Sequence, residues 1–145
     1  MEAAFAVKAP TENNPLLDSA PFTAYYLLGH SLELLLKSFL IGRRTEISEL
    51  RSRKYGHDLE KLLTESKRRK IGRELKFESL DEPLVLLLNL SYKPKLLEYY
   101  AQGLYEFPRY TLIANVVKRT CDGLYPFARR ISDRELDRKR KKQKV

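Results

Sequence analysis

The stretch SAPFTAYYLLGHSLELLLKSFLIG, residues 19–42, decides the fold. Ser19 can cap a helix and Pro21 suits its first turn. Apolar residues then recur through Tyr25, Leu28, Leu32, Leu35, Leu36 and Phe39 at spacings of one helical turn. That period predicts a long, deeply buried helix ending near Gly42. The other side of the same helix is polar. Tyr26, His30, Glu33 and Lys37 follow one another at helical-turn intervals and line one face.

Upstream of this helix, Pro10, Asn13, Asn14 and Pro15 break any helical period, so residues 1–18 read as a lead-in segment. Downstream, residues 43–57 are polar and end in Tyr55-Gly56, a loop with one turn around 47–50. Asp58 can cap a second helix whose apolar face is Leu59, Leu62 and Leu63. Its cationic end, Lys67-Arg68-Arg69-Lys70, suits the negative pole of the helix dipole before a stop at Gly72. Residues 73–80 connect to Asp81-Glu82-Pro83, a helix start followed by the Leu-rich run 84–90. Leucine rather than valine or isoleucine dominates that run, which favours helix over buried strand. Lys93-Pro94-Lys95 punctuates, and residues 96–100 extend the packing before Gly103 and Pro108.

The last strong period is Tyr110, Ile113, Ala114, Val117, Cys121 and Leu124, an amphipathic helix expected to end or kink at Gly123 and Pro126. Alternation of period two is nowhere sustained, the hairpin dipeptide Asn-Gly is missing, and no repeat is visible. The reading is an all-α chain, an up-and-down bundle of four to five helices over 19–130, with a basic C-terminal tail at 131–145.

Composition agrees with one core. The chain has 145 residues, 43% of them hydrophobic and 32% charged. No apolar run reaches the length of a membrane span, and the amino terminus lacks the pattern of a signal peptide. One cysteine, Cys121, provides neither an internal disulfide nor a cysteine metal cage, so a cytoplasmic protein without metal or other cofactor is expected. The formal charge is +9. Nine basic and three acidic residues from 129 onward place +6 there and leave +3 for the rest. The run Arg138, Lys139, Arg140, Lys141, Lys142 reads either as a solvated helix end or as a phosphate-binding tail.

Three features could carry function. His30, Glu33 and Lys37 either face a groove between helices or form a surface stripe in which Glu33 and Lys37 are an ordinary ion pair. His57 opens the second helix, where the positive dipole end favours a neutral imidazole. That imidazole could serve as a general base or could tie loop to helix. Arg109, in Phe107-Pro108-Arg109-Tyr110, could hold a phosphate or pair with an internal carboxylate such as Glu33 or Glu98. The six glycines are scattered and form no phosphate loop, and two histidines without paired cysteines argue against structural zinc.

Taken together, Leu28-Gly29-His30-Ser31-Leu32-Glu33-Leu34-Leu35-Leu36-Lys37, followed by Gly56-His57-Asp58-Leu59-Glu60-Lys61-Leu62-Leu63, resembles HEPN domains over residues 21–130. Phe107-Pro108-Arg109-Tyr110 is similar to the step that opens the last helix of such domains. The resemblance implies a small all-α bundle, commonly a homodimer with a polar cleft at or near the interface, found in toxin–antitoxin, defence and nucleotide-metabolism settings. Active members are metal-independent ribonucleases using an arginine and a histidine four to six residues apart, late in the bundle. This chain departs from that pattern, because His57 is its last histidine. Arg51 and His57 have the spacing but lie early, in a loop.

The expected protein is therefore a dimeric HEPN-like binding or regulatory module. His30, Glu33, Lys37, His57 and Arg109 would line a cleft for an anionic ligand, a nucleotide or RNA, without catalysis. The alternatives are a ribonuclease effector of a toxin–antitoxin or antiphage system using Arg51 and His57, with a partner protein encoded nearby, and a nucleic-acid scaffold using the tail.

Overall fold

A computed structural model describes residues 22–52, 54–97 and 106–143. The expected lead-in 1–18, the cap at Ser19, Glu98 and Gly103 lie outside the described residues. Among the described residues five α-helices follow in chain order: α1 Phe22–Gly42, α2 Ile47–Arg51, α3 Leu59–Arg68, α4 Asp81–Tyr92 and α5 Tyr110–Gln143. A 3₁₀ turn, Ile71–Arg73, follows α3. Among the described residues there is no strand.

The hydrophobic period of α1 places Leu28, Leu32, Leu36, Phe39 and Leu40 in the core, each no more than 2% exposed. This helix is central and packs against α5, α3 and α4. Tyr25 meets Tyr110 edge-on and Phe39 meets Phe127, so α1 and α5 run in the same sense. Glu33 meets His57, and Arg69 donates to the Arg43 carbonyl, so α3 also runs parallel to α1. Lys67 at the end of α3 pairs with Glu82 at the start of α4, while Asn89 near the end of α4 meets Asp58, which makes those two helices antiparallel. The bundle is all-α. The link 43–58, with α2 inside it, carries the chain back along α1 from Thr45, bonded to the Leu40 carbonyl, to Gly56, which accepts from Lys37, before α3 begins, so successive helices alternate in direction.

Local chemistry explains most boundaries. The Asp58 carboxylate accepts the Lys61 N–H at 3.3 Å and caps α3. Buried Asn89 accepts the Leu59 N–H at 2.9 Å and donates to Asp58, tying α4 to that cap. Helix α3 ends at Arg68 rather than at Gly72, because Lys70 turns left-handed and the 3₁₀ turn carries Ile71 into the core.

The end expected at Gly123 and Pro126 is not there. α5 runs through both for 34 residues, across the expected boundary at 130, so the tail up to Gln143 continues a helix. Gly123 is a packing position, since a Cβ there would lie 2.9 Å from Leu75 Cδ1. Pro126 removes one backbone donor, but buried Leu124 and Phe127 on either side of it hold the helix to the core.

Candidate functional site

Glu33 is the centre of the polar stripe on α1, and it is buried, only 3% exposed. A charged carboxylate at that depth needs partners for both oxygens. Oε1 accepts from Lys37 Nζ at 2.5 Å. Oε2 accepts from the Tyr92 hydroxyl at 2.6 Å and lies 2.9 Å from His57 Nδ1. Burial alone would raise the pKa of this acid. The hydrogen bonds from Lys37, Tyr92 and His57 outweigh it and hold the carboxyl below its ordinary range.

Each partner is placed by its own element. Lys37 stands one turn after Glu33 on α1 and also donates to the Gly56 carbonyl at 3.1 Å. Gly56 has a positive φ of 46°, the conformation that turns its carbonyl toward α1 and delivers His57 to the carboxylate. A carboxylate only accepts, so a neutral His57 donates from Nδ1 and leaves Nε2 as an acceptor; its side chain is 37% exposed. Tyr92 ends α4 and stands edge-on to His57. His30 stacks on Tyr26, and its Nδ1 lies 3.5 Å from the Tyr92 hydroxyl, at the outer edge of hydrogen bonding.

The fold thus gathers His30, Glu33, Lys37 and His57 from the sequence-derived set. Arg109 stands elsewhere, exposed in the turn before α5. Its neighbour Pro108 accepts from the Tyr25 hydroxyl at 3.1 Å, eight residues, or about 12 Å, before Glu33 on α1. Both oxygens of Glu33 are taken by other donors, so the expected pairing of Arg109 with Glu33 is not formed; its alternative partner, Glu98, lies outside the described residues. Arg51 is exposed at the end of α2 and shares with Glu33 and Lys37 the rim of a groove of about 540 Å³. Leu34, Ile41, Ile47 and Leu50 line that groove between α1 and α2; His57 is not part of its wall. Arg138, Lys139, Arg140 and Lys141 are exposed on α5.

Two residues of this region give little signal in the sequence. Tyr92 is one apolar-looking residue in a Leu-rich helix, and Asn89 interrupts the same run without a motif. Burial also pushes the Cys121 thiol up, away from the thiolate a nucleophile would need.

Among the described residues no three His, Cys, Asp or Glu side chains are grouped to hold a metal ion, and no helix is long and apolar enough to cross a membrane. Compared with protein-family models, curated proteins and solved structures, the chain matches none.

Proposed function

We propose that the chain is a HEPN-like binding or regulatory module that works as a homodimer and takes an anionic ligand, a nucleotide or RNA, at the polar cluster of α1. The observation that carries this reading is the buried Glu33 carboxylate, whose charge is spent on Lys37, His57 and Tyr92. With that charge neutralised internally, Arg51 is the outward donor suited to an anion, and the open His57 Nε2 can accept from a hydroxyl of a nucleotide or RNA. Catalysis is not part of the reading, because Arg51 lines the groove between α1 and α2 and His57 does not.

The ribonuclease reading has one observation in its favour. A carboxylate that orients an imidazole and leaves Nε2 open is the arrangement a general base needs. The two readings part on one experiment. Purified protein, free of added metal, should leave RNA intact. His57→Ala should weaken binding of a labelled RNA or nucleotide without changing that blank. Cleavage by the wild type that disappears in His57→Ala or Arg51→Ala, together with growth arrest relieved by the same substitutions, would overturn the module reading.

The second copy has a surface to occupy. Glu33 and Lys37 are the only charged residues of α1, and they pair with each other. Its outward face is Leu27, Ser31, Leu34, Ser38 and Ile41, with Leu34 54% and Ile41 45% exposed. The Ser31 and Ser38 hydroxyls already donate to the Leu27 and Leu35 carbonyls, so burying them strands no donor. The stripe alternates large and small side chains, so the same patch of a second copy can pack on it across a two-fold axis. Leu34→Glu should weaken self-association by about 100-fold or more and leave the fold intact, since the residue is exposed. Sedimentation that finds the wild type monomeric at high concentration would remove the dimer from the proposal.

A further inference from the structure

Helix α5 does not stop where the bundle does. A Cβ on Gly42, the last residue of α1, would contact Phe127 and approach Ile131 Cγ1, so α5 packs on α1 up to Ile131. Beyond that residue the side chains described, 132–141, are exposed, and the helix continues to Gln143. Twelve residues of helix at about 1.5 Å each form an arm roughly 18 Å long.

Charge is unevenly laid along this arm. Asp133, Glu135 and Asp137 lie in its first half, and the five consecutive residues 138–142 are all basic. Arg138 pairs with Glu135 at 3.2 Å; among the described residues Arg134, Lys139, Arg140 and Lys141 have no carboxylate within ion-pair distance. A favourable end to the helix dipole needs one or two cations in the last turn, and this arm has more than that. Arg134 and Arg138 stand one turn apart on the same face, as do Arg138 and Lys141. Such like-charged neighbours destabilise a helix unless an external anion neutralises them. Successive residues are about 100° apart, so the cations of the tip point to all sides rather than to one face.

We infer that the α5 arm binds duplex DNA without sequence preference, its tip lying in the major groove between the two phosphate strands. Cations on all sides suit a concave surface that is negative on both flanks. A helix about 10–12 Å across matches a groove about 12 Å wide. The major groove of duplex RNA is deep and narrow and does not admit a helix. An anionic membrane is a poorer fit, because a surface-lying helix needs an apolar side and, among the described residues, Leu136 is the only apolar side chain exposed on the arm. The carboxylates at the base of the arm repel phosphates, which confines the interaction to the last two turns. This surface is separate from the α1 cluster and does not depend on the function proposed for it.

The test uses the full chain and a fluorescent mixed-sequence DNA duplex, with anisotropy followed as salt is raised. Glutamine keeps helix propensity while removing charge, so the variant is Arg138→Gln with Arg140→Gln and Lys141→Gln. Wild-type affinity should fall with salt. The slope of log affinity against log salt should be shallower in the variant by about 0.9 for each phosphate that is no longer neutralised, about 2–3 altogether. Circular dichroism should show unchanged helix content. An unchanged slope overturns the inference, and so does equal or tighter binding to duplex RNA or to phosphatidylserine vesicles. Lys61→Gln, at an exposed lysine in the first turn of α3, should keep the wild-type slope; a flattened slope there would put the anion on the bundle and not on the arm.

Discussion

Replacing Glu33 by alanine should lower the free energy of unfolding by about 3–5 kcal/mol, as expected when one partner of a buried ionic group is removed. Three donors aim at this carboxylate from three elements: Lys37 on α1, His57 before α3 and Tyr92 at the end of α4. Without it the buried Tyr92 hydroxyl and the His57 Nδ1 proton lose their acceptor, while Lys37 keeps the Gly56 carbonyl and some water. Glu33→Gln preserves shape but turns an amide NH₂ toward a donor, so it should still lose about 2–3 kcal/mol. Tyr92→Phe, which removes one hydrogen bond to a charged group, should lose about 1.5 kcal/mol. Urea unfolding of the three variants checks this. A loss below about 1 kcal/mol in both Glu33 variants would show that the cluster is not what joins the helices.

The same carboxylate predicts the direction of an acid effect. Its folded pKa lies below the ordinary glutamate value of 4.5. A depressed carboxyl contributes stability that is present above its unfolded value and is lost as pH falls through its folded value. In acid, protonated Glu33 resembles glutamine. The stability gap between wild type and Glu33→Gln should therefore narrow as pH drops from neutrality below 4.5. Lys37, His57 and Tyr92 face the group directly, and His30 faces it through Tyr92. Asp58 and Glu65 are also depressed, Glu65 to about 2, and their acid losses are common to both proteins and cancel in the difference.

Residue spacing makes part of this cluster legible. Tyr26, His30, Glu33 and Lys37 lie one turn apart, so any α1 places them on one side, and Asp58 at the head of an apolar run marks where His57 must sit. Contacts between helices are another matter. Tyr92 meets Glu33 across 59 residues of sequence, and its distance from Gly29 and Glu33 is set by how α4 packs, which no local pattern records. Charge alone draws Arg109 toward the cluster. The fold instead sends its neighbour Pro108 to Tyr25, because the register of α5 on α1 follows the Tyr25–Tyr110 and Phe39–Phe127 contacts. The run through Pro126 is hidden for a similar reason: a proline is a local breaker, and buried Phe127 beyond it is a tertiary anchor.

Gly29→Ala should be destabilising by about 2–4 kcal/mol, although alanine is the better helix former by about 1 kcal/mol. Glycine in the middle of a helix is a local fault, and here a ring explains it. A Cβ at position 29 would lie 2.5 Å from Tyr92 Cδ2, 2.8 Å from Cε2 and 2.9 Å from Cγ, inside the contact distance of any side chain. These are atoms of a buried ring whose hydroxyl is committed to Glu33, so the ring cannot swing aside without breaking the 2.6 Å hydrogen bond. Overpacking costs about 1–3 kcal/mol and the broken bond about 1.5–3 kcal/mol, which together exceed the gain in propensity. The two sites should be strongly coupled. Tyr92→Ala removes the obstructing ring, so adding Gly29→Ala to it should cost nothing and should recover up to about 1 kcal/mol from helix propensity. Additive losses in that double-mutant cycle would mean that Gly29 is not held open for Tyr92. The close approach of α1 and α4 would then have a cause other than delivering the phenol to the carboxylate.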